Sequence, residues 1–190
     1  MWRKLNNYTY LARSLIDLGS VYSRQGEFAL AQKAHEEAGE IIKPTNNIKE
    51  QAYIYQQLGI LYYRQEKWVE AETAFLHLSP IALRELKEFD LLAGFYNNLG
   101  NVYLKMAQWD KSREYLIQAI EILRHINNKL DLGNSLGTLA TVYKQIGEKE
   151  KALQGYEEAI SLLYAFPESQ WAQKLLGEFV PEYEELRTES

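Results

Sequence analysis

The sequence predicts an all-α fold, a right-handed superhelical solenoid of antiparallel helix pairs, and three observations carry that expectation. First, a short segment recurs. Leu18-Gly19-Ser20-Val21-Tyr22, Leu58-Gly59-Ile60-Leu61-Tyr62, Leu99-Gly100-Asn101-Val102-Tyr103 and Leu139-Ala140-Thr141-Val142-Tyr143 stand 40, 41 and 40 residues apart. Second, nine residues past each Tyr comes a small residue (Ala31, Ala71, Ser112, Ala152), four later a bulkier one (His35, Phe75, Leu116, Tyr156), and three later Ala38, Leu78, Ala119 or Ala159. Steps of three and four place side chains on one helical face. Third, 4 Pro and 11 Gly beside 14 Tyr in 190 residues favour long regular segments over loops. Repetition at such a period means stacked supersecondary units whose small cores run together.

The repeat phase sets the order of elements. Trp2-Arg3-Lys4-Leu5-Asn6-Asn7 aligns with Leu83-Arg84-Glu85-Leu86-Lys87-Glu88 and Leu123-Arg124-His125-Ile126-Asn127-Asn128, and Asn46-Asn47 falls at the same phase. Residues 1–7 therefore read as the tail of a preceding repeat, and the chain is expected to begin partway through a repeat, as a piece cut from a longer protein would; the alternative is a native start whose first turn packs as a cap. Four helix pairs follow, each a helix A and a helix B, over 8–47, 48–88, 89–128 and 129–167. Residues 168–190 form a C-terminal capping half-repeat, making about four and a half repeats.

Within each pair, Gly19, Gly59, Gly100 and Ala140 sit mid-helix, where Gly costs about 1 kcal/mol relative to Ala, so close approach of a second helix is expected there. The turns are Gln25-Gly26-Glu27, Gln65-Glu66-Lys67, Ala107-Gln108-Trp109 and Ile146-Gly147-Glu148, with Gly26 and Gly147 suited to a left-handed C-terminal cap. Phe28, Trp68 and Trp109 would cover the turn, and Lys149 breaks that feature. The extra residue of the second pair lies near Ser79-Pro80, where proline should bend helix B. In the cap, Leu176, Phe179 and Tyr183 are expected to face the core around Pro181, and Glu178, Glu182, Glu184, Glu185 and Arg187 to face outward.

The arrangement resembles the tetratricopeptide repeat family, whose order of Leu-Gly, Tyr, Ala, an aromatic and Ala is matched four times in register across residues 12–160. Members typically repeat at about 34 residues. The longer period here is similar to that of the kinesin light chain type, and Asn97-Asn98-Leu99-Gly100-Asn101 carries that likeness most. The family's carboxylate clamp for chaperone tails is not expected, because its places hold Ile16, Ser20, Gln57, Gly94 and Asn98. An asparagine ladder is found only in the third unit, with Gln56 and Gln57 in the second and Gly137 and Thr138 in the fourth.

Composition narrows the function further. There are 26 acidic and 21 basic residues, a net charge of −5 and no Lys/Arg block, so no nucleic-acid partner is expected. The absence of cysteine excludes disulfides and thiolate metal sites. No apolar run approaches the ~18 residues that span a bilayer, so no membrane partner is expected and the expected location is cytoplasmic. No convergent titratable set marks an enzyme. His35 stands at a core-facing aromatic position, while His77 and His125 lack spaced partners for a metal. Glu36-Glu37 and Glu157-Glu158 are sequence neighbours about 100° apart on a helix rather than dyads. With no glycine-rich phosphate loop, no cofactor is expected.

The remaining candidate is a surface. The concave face of such a solenoid is built mainly from A helices, and stepping from the buried positions assigns Arg13, Ile16, Ser20 and Arg24 to it in unit one. Tyr53, Gln56, Ile60 and Tyr63 follow in unit two, Asn97, Asn101, Leu104 and Lys105 in unit three, and Asn134, Thr141 and Lys144 in unit four. Amides pair with peptide backbone and tyrosines supply low-entropy apolar contact. The expected function is thus a scaffold that holds a protein or peptide segment, with Tyr63 and Asn101 as leading anchors and Tyr62 buried beside them. A second reading is the regulatory sensor arm of a larger signalling protein or transcription regulator, and exposed solenoid ends would permit self-association.

Overall fold

The computed structural model describes residues 2–45, 47–77 and 80–188. Among them are ten α-helices and no strand: α1 Trp2–Gln25, α2 Phe28–Ile42, α3 Ile48–Arg64, α4 Trp68–Leu76, α5 Pro80–Glu85, α6 Phe89–Lys105, α7 Trp109–His125, α8 Lys129–Gln145, α9 Lys149–Leu163 and α10 Gln170–Thr188. The fold is an all-α tandem of helix pairs followed by a cap. It divides into two compact units, Met1–Leu91 and Leu92–Ser190. In the first, α1 packs on α2 and α3, and α3 on α2, α4 and α5; in the second, α8 packs on α7, α9 and α10.

Two boundaries depart from expectation. The boundary expected between residues 7 and 8 is not a helix end, because α1 continues through Asn6 and Asn7 as one helix of 24. The second helix B consists of two elements, α4 ending at Leu76 and α5 starting at Pro80. The expected bend at Ser79, and the expected core position Leu78, lie outside the described residues, as does Asn46.

Each A helix closes with the same hydrogen bond. The N–H of Glu27 donates to the Tyr22 carbonyl at 2.9 Å, Lys67 to Tyr62 at 3.0 Å, Gln108 to Tyr103 at 2.9 Å and Glu148 to Tyr143 at 2.9 Å. This six-residue closure needs a left-handed residue just before the donor. Gly26 (φ 81°) and Gly147 (φ 78°) supply it as expected, but Glu66 (58°) and Ala107 (55°) take the same conformation with a Cβ, which costs roughly 1–2 kcal/mol. The hairpin geometry imposes the turn whatever residue stands there. Lys87 and Asn127 do the same before α6 and α8, and the side chains of Asn47 and Asn128 accept the N–H of Glu50 and Asp131 to cap α3 and α8.

The periodic glycines have a steric cause. A Cβ on Gly19 would lie 2.6 Å from Cε1 of His35, and one on Gly100 would lie 2.5 Å from Cγ of Leu116; Gly59 meets the Phe75 ring in the same way. In every case the partner is the bulky residue 16 positions later on helix B. In the fourth pair the two helices exchange roles: Ala140 faces Gly155, whose Cβ would stand 3.0 Å from that of Ala140. Ala31, Ala71, Ser112 and Ala152 are fully buried, and the Ser112 hydroxyl donates to the Gly100 carbonyl at 2.7 Å, which explains how a hydroxyl is tolerated there.

The cap α10 packs on α9 and α8. Phe179 is buried, stands 6.0 Å from the Tyr156 ring and lies on Gly137, where a Cβ would collide with it. The buried stripe of α10 is Ala172, Leu175, Phe179 and Leu186, while the expected Leu176 and Tyr183 are only half-buried. The helix continues through Pro181. Both Pro181 and Gly177, whose carbonyl loses its partner there, are exposed, so water can satisfy the orphan group.

Candidate functional site

All fifteen side chains assigned to the candidate face lie on the A helices α1, α3, α6 and α8, and fourteen of them are exposed or half-buried. Two of these assignments need correction. Ile16 is fully buried, in a cluster with Ala12, Ala38, Ile42 and Ile54. It packs inward because α1 meets both α2 and α3 on that side. Lys144 is not an open cation: its Nζ bonds Glu182 at 2.8 Å and Glu185 at 2.6 Å. These hydrogen bonds, to Glu182 first, hold its pKa above the ordinary lysine value. Glu182 and Glu185 thereby turn toward α8 instead of forming the cap's outer face.

In the first unit, α1 and α3 are joined by polar links. The Arg13 guanidinium bonds the carboxylate of Glu50, with Nε to Oε1 at 3.0 Å, and the Glu50 side chain is only 4% exposed. Burial of that carboxylate is tolerated because the guanidinium compensates it. Ser20 donates to the Gln57 side-chain oxygen at 3.2 Å. A cleft of about 560 Å³ lies here, lined by Arg13, Asp17, Glu50, Tyr53, Gln56 and Glu88, among others. Lys49 lies in it as well, paired with Glu88 at 2.9 Å. Of the expected residues, Tyr53 and Arg24 are exposed and Gln56 and Ile60 half-buried.

Tyr63 is less free than expected. Its ring meets Trp68 edge-on with centroids 5.1 Å apart, so it partly packs on the start of α4. Tyr62 is half-buried rather than buried. The two tyrosines thus do not divide into one surface ring and one core ring.

In the second unit, Ser135 donates to the side-chain oxygen of Asn97 at 2.9 Å, linking α6 to α8. The Asn101 amide donates to the Asn97 carbonyl at 2.9 Å within its own helix. The Thr141 hydroxyl lies 3.1 Å from the Gly137 carbonyl and 3.0 Å from the Tyr156 hydroxyl. Lys105 is exposed, and Leu104 and Asn134 are half-buried. Sequence reasoning missed Glu50, Glu88 and Ser135. The available signal was an acceptor or donor 37 to 39 residues beyond Arg13, Lys49 and Asn97.

The histidines offer little chemistry. His35 is 1% exposed, its Nδ1 has no hydrogen-bond partner, and burial pushes its pKa down to about 4. Among the described residues no group of three or more His, Cys, Asp or Glu is placed to hold a metal ion, and no helix is long and apolar enough to cross a membrane.

The family model described as tetratricopeptide repeat matches residues 10–84 and 91–165. The soluble NSF attachment protein homolog FPV033 of fowlpox virus (strain NVSL) is 32% identical over 120 residues, covering 62% of this chain and 41% of the relative. Among solved structures, the signal transduction ATPase with numerous domains and a tetratricopeptide repeat sensor, PH0952 from Pyrococcus horikoshii, superposes with a TM-score of 0.75 at 19% identity. It covers 89% of this chain and 26% of that one. Aspartyl phosphate phosphatase F from Bacillus subtilis gives 0.79 at 13% identity, covering 94% and 48%. The chain thus spans about two fifths of the viral relative and about a quarter of the ATPase.

Proposed function

This chain belongs to the tetratricopeptide repeat family, and we propose that it is a protein-interaction module that holds a segment of a protein partner against its A helices. The observation that carries the proposal is the cleft between α1 and α3, where exposed Tyr53 and half-buried Gln56 stand over a floor fixed by the Arg13–Glu50 link. A rigid charged floor, a tyrosine and an amide are what an extended backbone needs for orientation and apolar contact. In the second unit Lys105 is exposed and Leu104 and Asn134 are half-buried on their own A helices. No catalytic role is proposed.

The test places a photocrosslinking amino acid at Tyr53, at Lys105 and, as a control, at Glu157 on α9. Crosslinks to one shared partner from Tyr53 and Lys105, absent from Glu157, support the A-helix face. Crosslinking from Glu157 alone refutes it.

A second reading is the regulatory sensor arm of a larger protein. It is favoured by the likeness in fold to the ATPase whose tetratricopeptide repeats are called a sensor. If the chain is such an arm, partner binding should change the activity of a domain linked to it, and a partner bound with no effect on any linked domain counts against that reading.

A further inference from the structure

Unit one holds another cleft, between α2 and α4. A cavity of about 590 Å³ is lined in part by His35, Glu36, Glu40, Tyr55, Leu58 and His77. A smaller one of about 290 Å³ shares Tyr55, Leu58 and His77 with it and adds Tyr62, Val69 and Glu70. Together they make one trough: α2 and α4 supply the walls, and Tyr55, Leu58 and Tyr62 of α3 lie between them. The helix α4 ends at Leu76 after nine residues, whereas α7 runs for 17 and α9 for 15.

The trough combines aromatic rings with carboxylates from two helices. The His77 ring lies against Tyr55 with centroids 4.0 Å apart. Glu36 of α2 and Glu70 of α4 act on the same phenol: burial first, then the charges of Glu36 and Glu70, make Tyr62 harder to ionise. Among the described residues neither carboxylate pairs with a lysine or arginine. Glu36 accepts a hydrogen bond from the neutral Gln32 amide at 2.9 Å, and Lys43, the cation in the trough, faces Glu40 at 3.8 Å. Rings that can cover a methylene stem, beside carboxylates that lack a counter-charge, suit a cation carried on an apolar chain.

We propose that this trough is a second binding site, which takes a lysine or arginine side chain presented by a segment of a protein partner. The stem lies along Tyr55 and Leu58, and the charged head reaches Glu36 and Glu70. The site is separate from the A-helix face and does not depend on it.

The test uses the full chain and follows NMR signals of Tyr55, Tyr62 and His77 during titration. The probes are a capped alanine pentapeptide with a central arginine, the same peptide with citrulline, which keeps the shape and loses the charge, and spermidine. The arginine peptide should saturate these signals at least about fivefold more tightly than the citrulline peptide. E36Q combined with E70Q should remove most of that difference, and E150Q combined with E157Q on α9 should leave it intact. Equal binding of the arginine and citrulline peptides overturns the proposal. So does an equal loss in the α9 variant, which marks diffuse attraction to an acidic chain. Spermidine binding more tightly than the arginine peptide assigns the trough to a free organic cation and overturns a protein segment as occupant. Should E36Q/E70Q melt early, the three-probe comparison on the unchanged chain still decides.

Discussion

Acidification should destabilise the folded chain through His35 by an amount that can be worked from its surroundings. The imidazole is 1% exposed, lies on Gly19 and has no partner at Nδ1. Protonation would bury a charge and a second N–H with nothing to receive it. The folded pKa is accordingly pushed down from 6.5 to about 4. The sign follows from which state binds the proton first. As pH falls through about 6.5 the unfolded chain is protonated and the folded chain is not, so stability declines by about 1.4 kcal/mol per pH unit until the folded pKa is reached. The full loss is about 3 kcal/mol, complete below about pH 4, and no such penalty exists above pH 7.

Carboxylates titrate in the same range, so the comparison must be differential. Leu116 occupies the equivalent place against Gly100 and is fully buried, which makes His35→Leu a substitution the packing already accommodates in the third pair. Urea unfolding of both proteins at about pH 7.5 and at about pH 4.5 gives two stability losses, and that of the unchanged chain should be larger by about 2 to 3 kcal/mol. Equal losses would refute the reasoning, as would a His35 ring signal titrating near its ordinary value by NMR.

Gly100→Ala should cost about 1 to 3 kcal/mol by overpacking against Leu116, and adding Leu116→Ala should recover part of that loss, read by thermal melts of both variants. Phe179→Ala should lower stability by about 3 to 4 kcal/mol, since it empties the site over Gly137 beside Tyr156; an unchanged melt would mean that α10 does not cap the array. Lys144→Met should cost no more than about 1 kcal/mol, because Glu182 and Glu185 are 44% and 59% exposed. High salt should erase that difference.

The packing of the first three helix pairs was legible because one constraint is written three times. Gly19, Gly59 and Gly100 announce a close approach, and the bulky residue that fills it follows at a constant offset of 16. The left-handed turns were legible only at Gly26 and Gly147. Glu66 and Ala107 hold the same phase, 40 and 41 residues along, and adopt the same φ; repeat register located those caps where residue type did not. Burial of the repeated Leu was less legible, because it depends on the neighbouring helix. Leu139, on the helix that α7 covers, is 8% exposed, while Leu18, on the first described helix, is 43% exposed.

The candidate face was only partly legible, for a geometric reason. Arg13 meets Glu50, Ser20 meets Gln57, Asn97 meets Ser135 and Lys144 meets Glu182, at separations of 37, 37, 38 and 38 residues. The repeat is 40 or 41 residues long, so facing positions on successive A helices slip by about three residues, close to one helical turn. Packed helices cross at an angle, so their contacts run along a diagonal row rather than between equivalent positions. Polar residues on that diagonal cross-link neighbouring helices before they can meet a ligand, which removes Arg13, Ser20 and Lys144 as free donors and engages Asn97. Residues off the diagonal keep their exposure, and these are Arg24 and Tyr53 in the first unit and Lys105 in the second. The slip therefore sorts the A-helix polar residues into those that hold the array together and those available to a partner, and Tyr53 replaces Tyr63 as the anchor to test first.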